Sequence, residues 1–217
     1  MCPHAGMATD AASAKRQQIL AGARQVFAEQ GYERASVDQI AARAGVSKAT
    51  VYNHFHDKQA LFVAAVVGSC DEFREGLGFR LSESGDAPET VLRAIGEHFM
   101  ARSLSPPVVS LYRQTIAEAE RIPEVGRMVF ERGTLALQQV VAGHLRRWND
   151  EGTLRIEDPL PAAIAFIALC QGDLVIRRRL GVLADPVDAL IRETVARAVS
   201  IFVPGALRLA FDLDQRC

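Results

Sequence analysis

Cysteine is scarce in this chain, and its four copies stand far apart, at positions 2, 70, 170 and 217. No two of them have C-x-x-C or zinc-site spacing, so the expected state is the reduced thiols of a cytosolic protein. Long apolar runs are also missing. The most apolar stretch, residues 160–170, falls short of the ~20 residues needed to span a bilayer, and Gln171 and Asp173 follow it. The first residues, MCPHAGMATDAASA, have neither a basic start nor an apolar core. They read as a disordered leader over 1–13, not as a signal peptide. Strand-like alternation is absent, and so are internal repeats. The chain lacks G-x-S-x-G, a P-loop, H-E-x-x-H and any acid pair beside a candidate nucleophile, which argues against an enzyme and gives no reason to expect a cofactor.

What is present is an ordinary globular composition, 49% hydrophobic and 24% charged over 217 residues, long enough for one large or two modest domains. The formal net charge of −1 conceals an uneven distribution: residues 1–65 hold seven Lys/Arg against five acids, and the remainder 18 against 21. An excess this slight means that any affinity for a polyanion depends on where the cations sit. Helical period runs through almost everything from Lys15 onward. Helices are expected at about 14–30, 36–44, 47–55, 58–80, 88–102, 107–121, 124–151, 159–180 and 186–203, with 205–217 as a last short helix or frayed tail. Gly31 supplies the first stop, and LSESGDAPE (81–89) is the clearest boundary.

Residues 36–62, SVDQIAARAGVSKATVYNHFHDKQALF, carry the functional signal. Ser36 with Gln39 three residues on is a capping box, Ala44-Gly45-Val46 a tight turn, and Ser47 the cap of a second short helix. Ala41 is small enough for close helix packing, Gly45 tolerates positive φ, and Val51 points back into the shared core. This is the geometry of a helix-turn-helix, which presents its second helix to the major groove of DNA. Lys48 lies in the first turn of that helix, where cations and helix N-termini both suit phosphate. Ser47 can cap or meet a phosphate, and the small Ala49 and Thr50 let the helix sit deep, with methyl groups that suit thymine. Asn53 can read adenine bidentately. Lys58 opens the next helix and is expected on a phosphate, with Ser36 and Arg43 as weaker phosphate candidates. His54 and His56, two apart, point to different helix faces and have no further ligand nearby, so no metal site is expected.

The segment ILAGARQVFAEQGYERASVDQIAARAGVSKATVYNHFHDKQALF resembles the TetR family of bacterial transcriptional regulators, most specifically in SKATVYNHFHDKQALF. SLYRQTIAEAERIPEVGRMVFERG is similar to the AefR-like branch. The resemblance implies an all-α chain: a helix-turn-helix DNA-binding domain of three helices over 14–60, then a larger helical bundle over 61–217 for ligand binding and dimerisation. It places Tyr52 and His54 at positions that contact DNA backbone or bases. It implies a cytoplasmic, nucleoid-associated homodimer on double-stranded operator DNA, joined through helices near 159–180 and 186–203, with its two heads ~34–36 Å apart. A repressor released by a small apolar or amphipathic effector follows, with Phe99, Tyr112, Ile116, Met128, Phe166 and Cys170 as candidate pocket residues. Polar His98, Gln114, His144 and Gln171 on apolar helices could orient such a ligand or simply be satisfied in the core. The alternative is a DNA-binding regulator with no small-molecule inducer, controlled by a partner or by its own abundance.

Overall fold

Apolar residues recurring every three or four positions fold this chain into helices, and the described residues of the computed structural model contain no strand. The structure describes the backbone of residues 4–83 and 87–213, and the side chains of 13–77 and 87–206. Part of the expected leader (1–3), part of the expected boundary (84–86) and the last four residues of the tail lie outside the described residues. The helices are α1 His4–Arg34, α2 Val37–Arg43, α3 Lys48–His54, α4 Lys58–Glu83, α5 Pro88–Ser103, α6 Pro106–Glu118, α7 Pro123–Val129, α8 Ala136–Asp150, α9 Pro159–Gln171, α10 Leu174–Leu180 and α11 Asp188–Leu213. Proline opens α5, α6, α7 and α9, where its missing N–H costs nothing.

Four boundaries differ from the periodicity. α1 begins at His4, inside the expected leader, because the alanine-rich stretch before Lys15 extends a helix nucleated further on. The expected helix 124–151 is interrupted by a π-helical segment, Phe130–Leu135. The expected helix 159–180 breaks at Gly172 (φ 48°, ψ −133°), so α9 and α10 meet at a bend of 55°. α11 runs through Pro204 to Leu213, past its expected end at 203. Gly31, with φ 83° and ψ 164°, interrupts α1 where the sequence places the stop.

The chain divides into two compact units, residues 1–71 with 106–130 and residues 72–105 with 131–217. This grouping differs from the expected division after residue 60: α4 continues past that point, and α6 and α7 group with the N-terminal helices. The reason is specific. On α6, the Ser110 hydroxyl donates to the Ala28 carbonyl at 2.7 Å and the Gln114 side-chain amide to the Phe27 carbonyl, which fastens α6 along α1. The first unit's core holds Ile19, Leu20, Ala23, Val26 and Phe27 of α1 with Ile40, Val51, Phe55, Leu61 and Phe62. Phe27, Tyr32 and Phe62 stack around one another with ring centroids 4.8–6.0 Å apart.

The second unit closes around Trp148, Phe166, Leu92, Ile95 and Val195. Arg178 ties its loops together, donating to the carbonyls of Leu104 and Leu183 and pairing with Asp185 at 3.1 Å. The run Arg177-Arg178-Arg179 is thus structural at its centre. The tightest point is Gly96 on α5, where a Cβ would stand 2.7 Å from Val195 Cγ1 and 3.1 Å from Cys170 Sγ. Burial pushes the Cys170 thiol up to about 12, so it behaves as a small apolar side chain. Gly96→Ala is expected to lower the unfolding free energy by about 1–3 kcal/mol in urea, with part recovered by Val195→Ala in the same chain. Wild-type stability for Gly96→Ala alone would contradict this close packing.

Candidate nucleic-acid interface

The interface is built from the turn outward. The Ser36 hydroxyl accepts from the Gln39 N–H at 3.2 Å, while the Gln39 side-chain oxygen accepts from the Ser36 N–H at 2.9 Å, completing the capping box that starts α2. α2 ends at Ala44. Gly45 takes φ 63°, and the Val46 N–H returns to the Ala41 carbonyl at 3.0 Å. α3 then begins with the Ser47 hydroxyl accepting from the Thr50 N–H at 3.0 Å. Val51 is 1% exposed and pins α3 to the core. That leaves Lys48, Ala49, Tyr52 and Asn53 on one exposed face, with Thr50 and His54 half-exposed at its edge. Tyr52 keeps 47% of its surface in solvent, a large amount for an aromatic residue with no core role.

Two residues that hold this geometry were missed by the motif reading. A Cβ at Gly22 of α1 would stand 3.0 Å from both the backbone nitrogen and the Cβ of Ala44, so any larger residue would push α1 and the turn apart by a few tenths of an ångström. Beside it, the Gln18 side-chain amide donates to the Ala44 carbonyl at 2.6 Å. A glycine inside an amphipathic helix, flanked by buried positions, is the signal that could have found this contact. Arg16 was missed as well; its guanidinium lies 5.1 Å over the Phe55 ring, near the end of α3.

Every cation expected on phosphate already has an intramolecular partner. Lys48 pairs with Asp38 of α2 at 2.9 Å, and that hydrogen bond holds its ammonium above the usual lysine range. Arg43 meets Glu29 of α1 through two parallel hydrogen bonds of 2.8 Å, which raise the Arg43 pKa and lower that of Glu29. Lys58 is different in kind. Its ammonium donates to the carbonyls of Tyr32, Glu33 and Ala35 at 2.9, 3.1 and 3.2 Å, and sits 4.5 Å from the centre of the Tyr32 ring. An ammonium has three N–H donors, and all three are used. Here Lys58 neutralises the carbonyl end of α1 and locks α4 to it, so a phosphate would have to compete with those three carbonyls for the ammonium.

The six candidate pocket residues do not gather in one core. Phe166 and Cys170 are fully buried in the second unit's core, and the partly buried Phe99 packs against that core. Tyr112, Ile116 and Met128 lie on α6 and α7 in the first unit, and Ile116, at 59% exposure, faces solvent while Leu111 and Thr115 face inward. His98 stacks on Phe73 at 5.1 Å, and the Gln114 amide nitrogen donates to the Phe27 carbonyl while its buried side-chain oxygen has no hydrogen-bond partner among the described residues. Burial, and next to it Arg147, holds the half-buried His144 below the usual histidine range.

Lys58→Ala is expected to cost about 1–3 kcal/mol of unfolding free energy, from its loss of three charged hydrogen bonds, and to leave the salt slope of DNA binding unchanged. A slope flattened by roughly one unit, with stability intact, would instead place Lys58 on a phosphate.

The family profile described as "Bacterial regulatory proteins, tetR family" matches residues 19–65, and that for an "AefR-like transcriptional repressor, C-terminal domain" matches residues 90–204. The HTH-type transcriptional repressor Rv1474c of Mycobacterium tuberculosis is 47% identical over 55 residues, 25% of this chain and 29% of that protein, so the match spans under a third of its length. Two solved structures align along nearly the whole chain. A TetR-family transcriptional regulator from Mesorhizobium loti has a TM-score of 0.81 at 25% identity, covering 89% of this chain and 96% of its own. The flavonoid-responsive regulator FrrA has a TM-score of 0.68 at 29% identity, covering 89% and 97%. With one profile on the helix-turn-helix and another on more than half of the chain, this protein belongs to the TetR family of bacterial DNA-binding transcriptional regulators, with an AefR-like C-terminal domain.

Proposed function

We propose that the chain acts as a homodimeric operator-binding repressor whose α3 faces enter successive major grooves. The exposed face of Lys48, Ala49, Tyr52 and Asn53, with Ser47, Thr50 and His54 beside it, carries this reading. Lys48 and Tyr52 reach phosphate or base edges, Arg43 and Ser36 flank them, and Asn53 has the donor and acceptor pair that fits adenine. Dimerisation is supported by apolar surface. Leu160, Ile164, Ile176, Leu180, Leu190 and Ile201, all on α9, α10 and α11, are between 36% and 69% exposed. On α9 the exposed positions 160, 161, 164, 165 and 168 form a continuous stripe opposite the buried Phe166, Ile167 and Cys170. A second copy would remove that stripe from water.

The regulatory ligand is proposed as a small apolar or amphipathic compound taken up within the second unit near Phe99 and Phe166; FrrA, of like fold, is described as flavonoid-responsive. A ligand that binds the DNA-free state ~100-fold better weakens the operator complex by about 2.7 kcal/mol. Tight packing of Cys170 against Gly96 favours a second reading, in which this region is solid core and control comes from a partner or from abundance. A thermal shift with a panel of flavonoids and fatty acyl compounds separates the two.

Three substitutions test the DNA reading. Lys48→Ala is expected to weaken binding to all duplexes and flatten the salt slope by roughly one unit. Asn53→Ala is expected to cost ~1–3 kcal/mol at one base step only. Ile164→Glu should yield a helical monomer by light scattering that no longer holds operator. Unchanged affinity in the first two, or an intact dimer in the third, would contradict the assignment.

A further inference from the structure

We infer that Asp38 and Glu29 are built-in competitors for phosphate, holding Lys48 and Arg43 in ion pairs that duplex DNA must displace, so that these two carboxylates set the affinity for DNA of any sequence. The inference rests on the proposed DNA contacts of α3 and of the end of α2. It is carried by an arrangement that stability does not require. Both pairs are exposed, with side-chain exposures of 51% and 67% for Lys48 and Asp38 and of 38% and 54% for Arg43 and Glu29, and exposed pairs contribute little to folding.

The geometry is that of an anion complex already formed. Arg43 presents both terminal nitrogens to both Glu29 oxygens at 2.8 Å, the same fork with which an arginine takes a phosphate, and Gln25 accepts a further bond from it at 3.3 Å. It cannot give that fork to Glu29 and to a phosphate together. Lys48 has donors to spare, but a phosphate reaching it with Asp38 still 2.9 Å away brings two anions side by side. Either the carboxylate swings out and is rehydrated, or the two repel; both weaken every DNA complex without regard to sequence. The partners come from three different elements, α1, α2 and the first turn of α3. The pairing therefore depends on the assembled helix-turn-helix and is no accident of neighbouring residues on one helix.

Asp38→Asn and Glu29→Gln keep the side-chain shapes and remove the charges. In the full-length protein, each is expected to tighten binding to a labelled duplex of mixed sequence by about threefold to tenfold at low salt, with the gain fading as salt is raised. The decisive comparison is a double-mutant cycle. Asp38→Asn in a Lys48→Ala background should bring no gain, because no cation is left to release. If Asp38→Asn is neutral or weakening while Lys48→Ala still lowers affinity, the competitor role is overturned and the DNA reading stands. If the gain persists without Lys48, it is a long-range charge effect and the local competition is overturned. If Lys48→Ala itself changes nothing, the DNA-contact reading fails and takes this inference with it. Circular dichroism melts of each variant establish that folding is retained.

Discussion

Where α1 crosses the turn between α2 and α3, the two backbones come so close that a side chain at position 22 would lie 3.0 Å from the Ala44 nitrogen. A flexible neighbour could yield to such a contact alone; a backbone nitrogen at the end of a capped helix yields only if α1 and the turn move apart. Gly22 therefore fixes how deep the helix-turn-helix sits on α1, and the Gln18 amide on the Ala44 carbonyl fixes its lateral position. From that point the rest follows by packing. Gly45 turns the chain through positive φ, Val51 draws α3 inward, and the opposite face of α3 is left to solvent with Lys48, Tyr52 and Asn53 on it. Lys58 then closes the unit by binding the three carbonyls that end α1, so the helix after the recognition helix returns to the helix before it.

Charge in this unit is arranged by partner more than by total. The seven cations of residues 1–65 barely outnumber the acids. Lys58 serves carbonyls, Arg43 and Lys48 serve carboxylates, and the same groups that suit phosphate are held in an ordered, internally neutral state. On the proposed reading, such a surface would attract DNA weakly at long range and reserve affinity for duplexes on which α3 makes base contacts.

Much of this was legible in the sequence because the relevant forces are local. The capping box at Ser36 and Gln39, the glycine turn, the Ser47 cap and the proline helix starts depend on residues within one turn of each other, and they stand where expected. The buried positions of α1 also follow from its period. What could not be read depends on contacts between distant segments. Nothing near Lys58 in sequence announces the carbonyls of residues 32, 33 and 35, and nothing in α6 announces that Ser110 and Gln114 bond to α1 and make it part of the first unit. Ile116 has the same helical spacing as a core residue, yet faces water because α6 packs on its other side. The break at Gly172 lies between Gln171 and Asp173, inside a helical period that continues on either side of it.

The central claim is that α3, held by α1, reads duplex DNA as one half of a symmetric pair. The most direct measurement is selection of genomic fragments by the purified full-length protein, followed by footprinting of the enriched DNA. The account predicts one enriched pseudo-palindrome with two protected half-sites about one helical turn apart, ~34–36 Å centre to centre, lost on substitution of Asn53. Enrichment without a shared sequence, or a single protected half-site bound equally well by the Asn53→Ala protein, would contradict it.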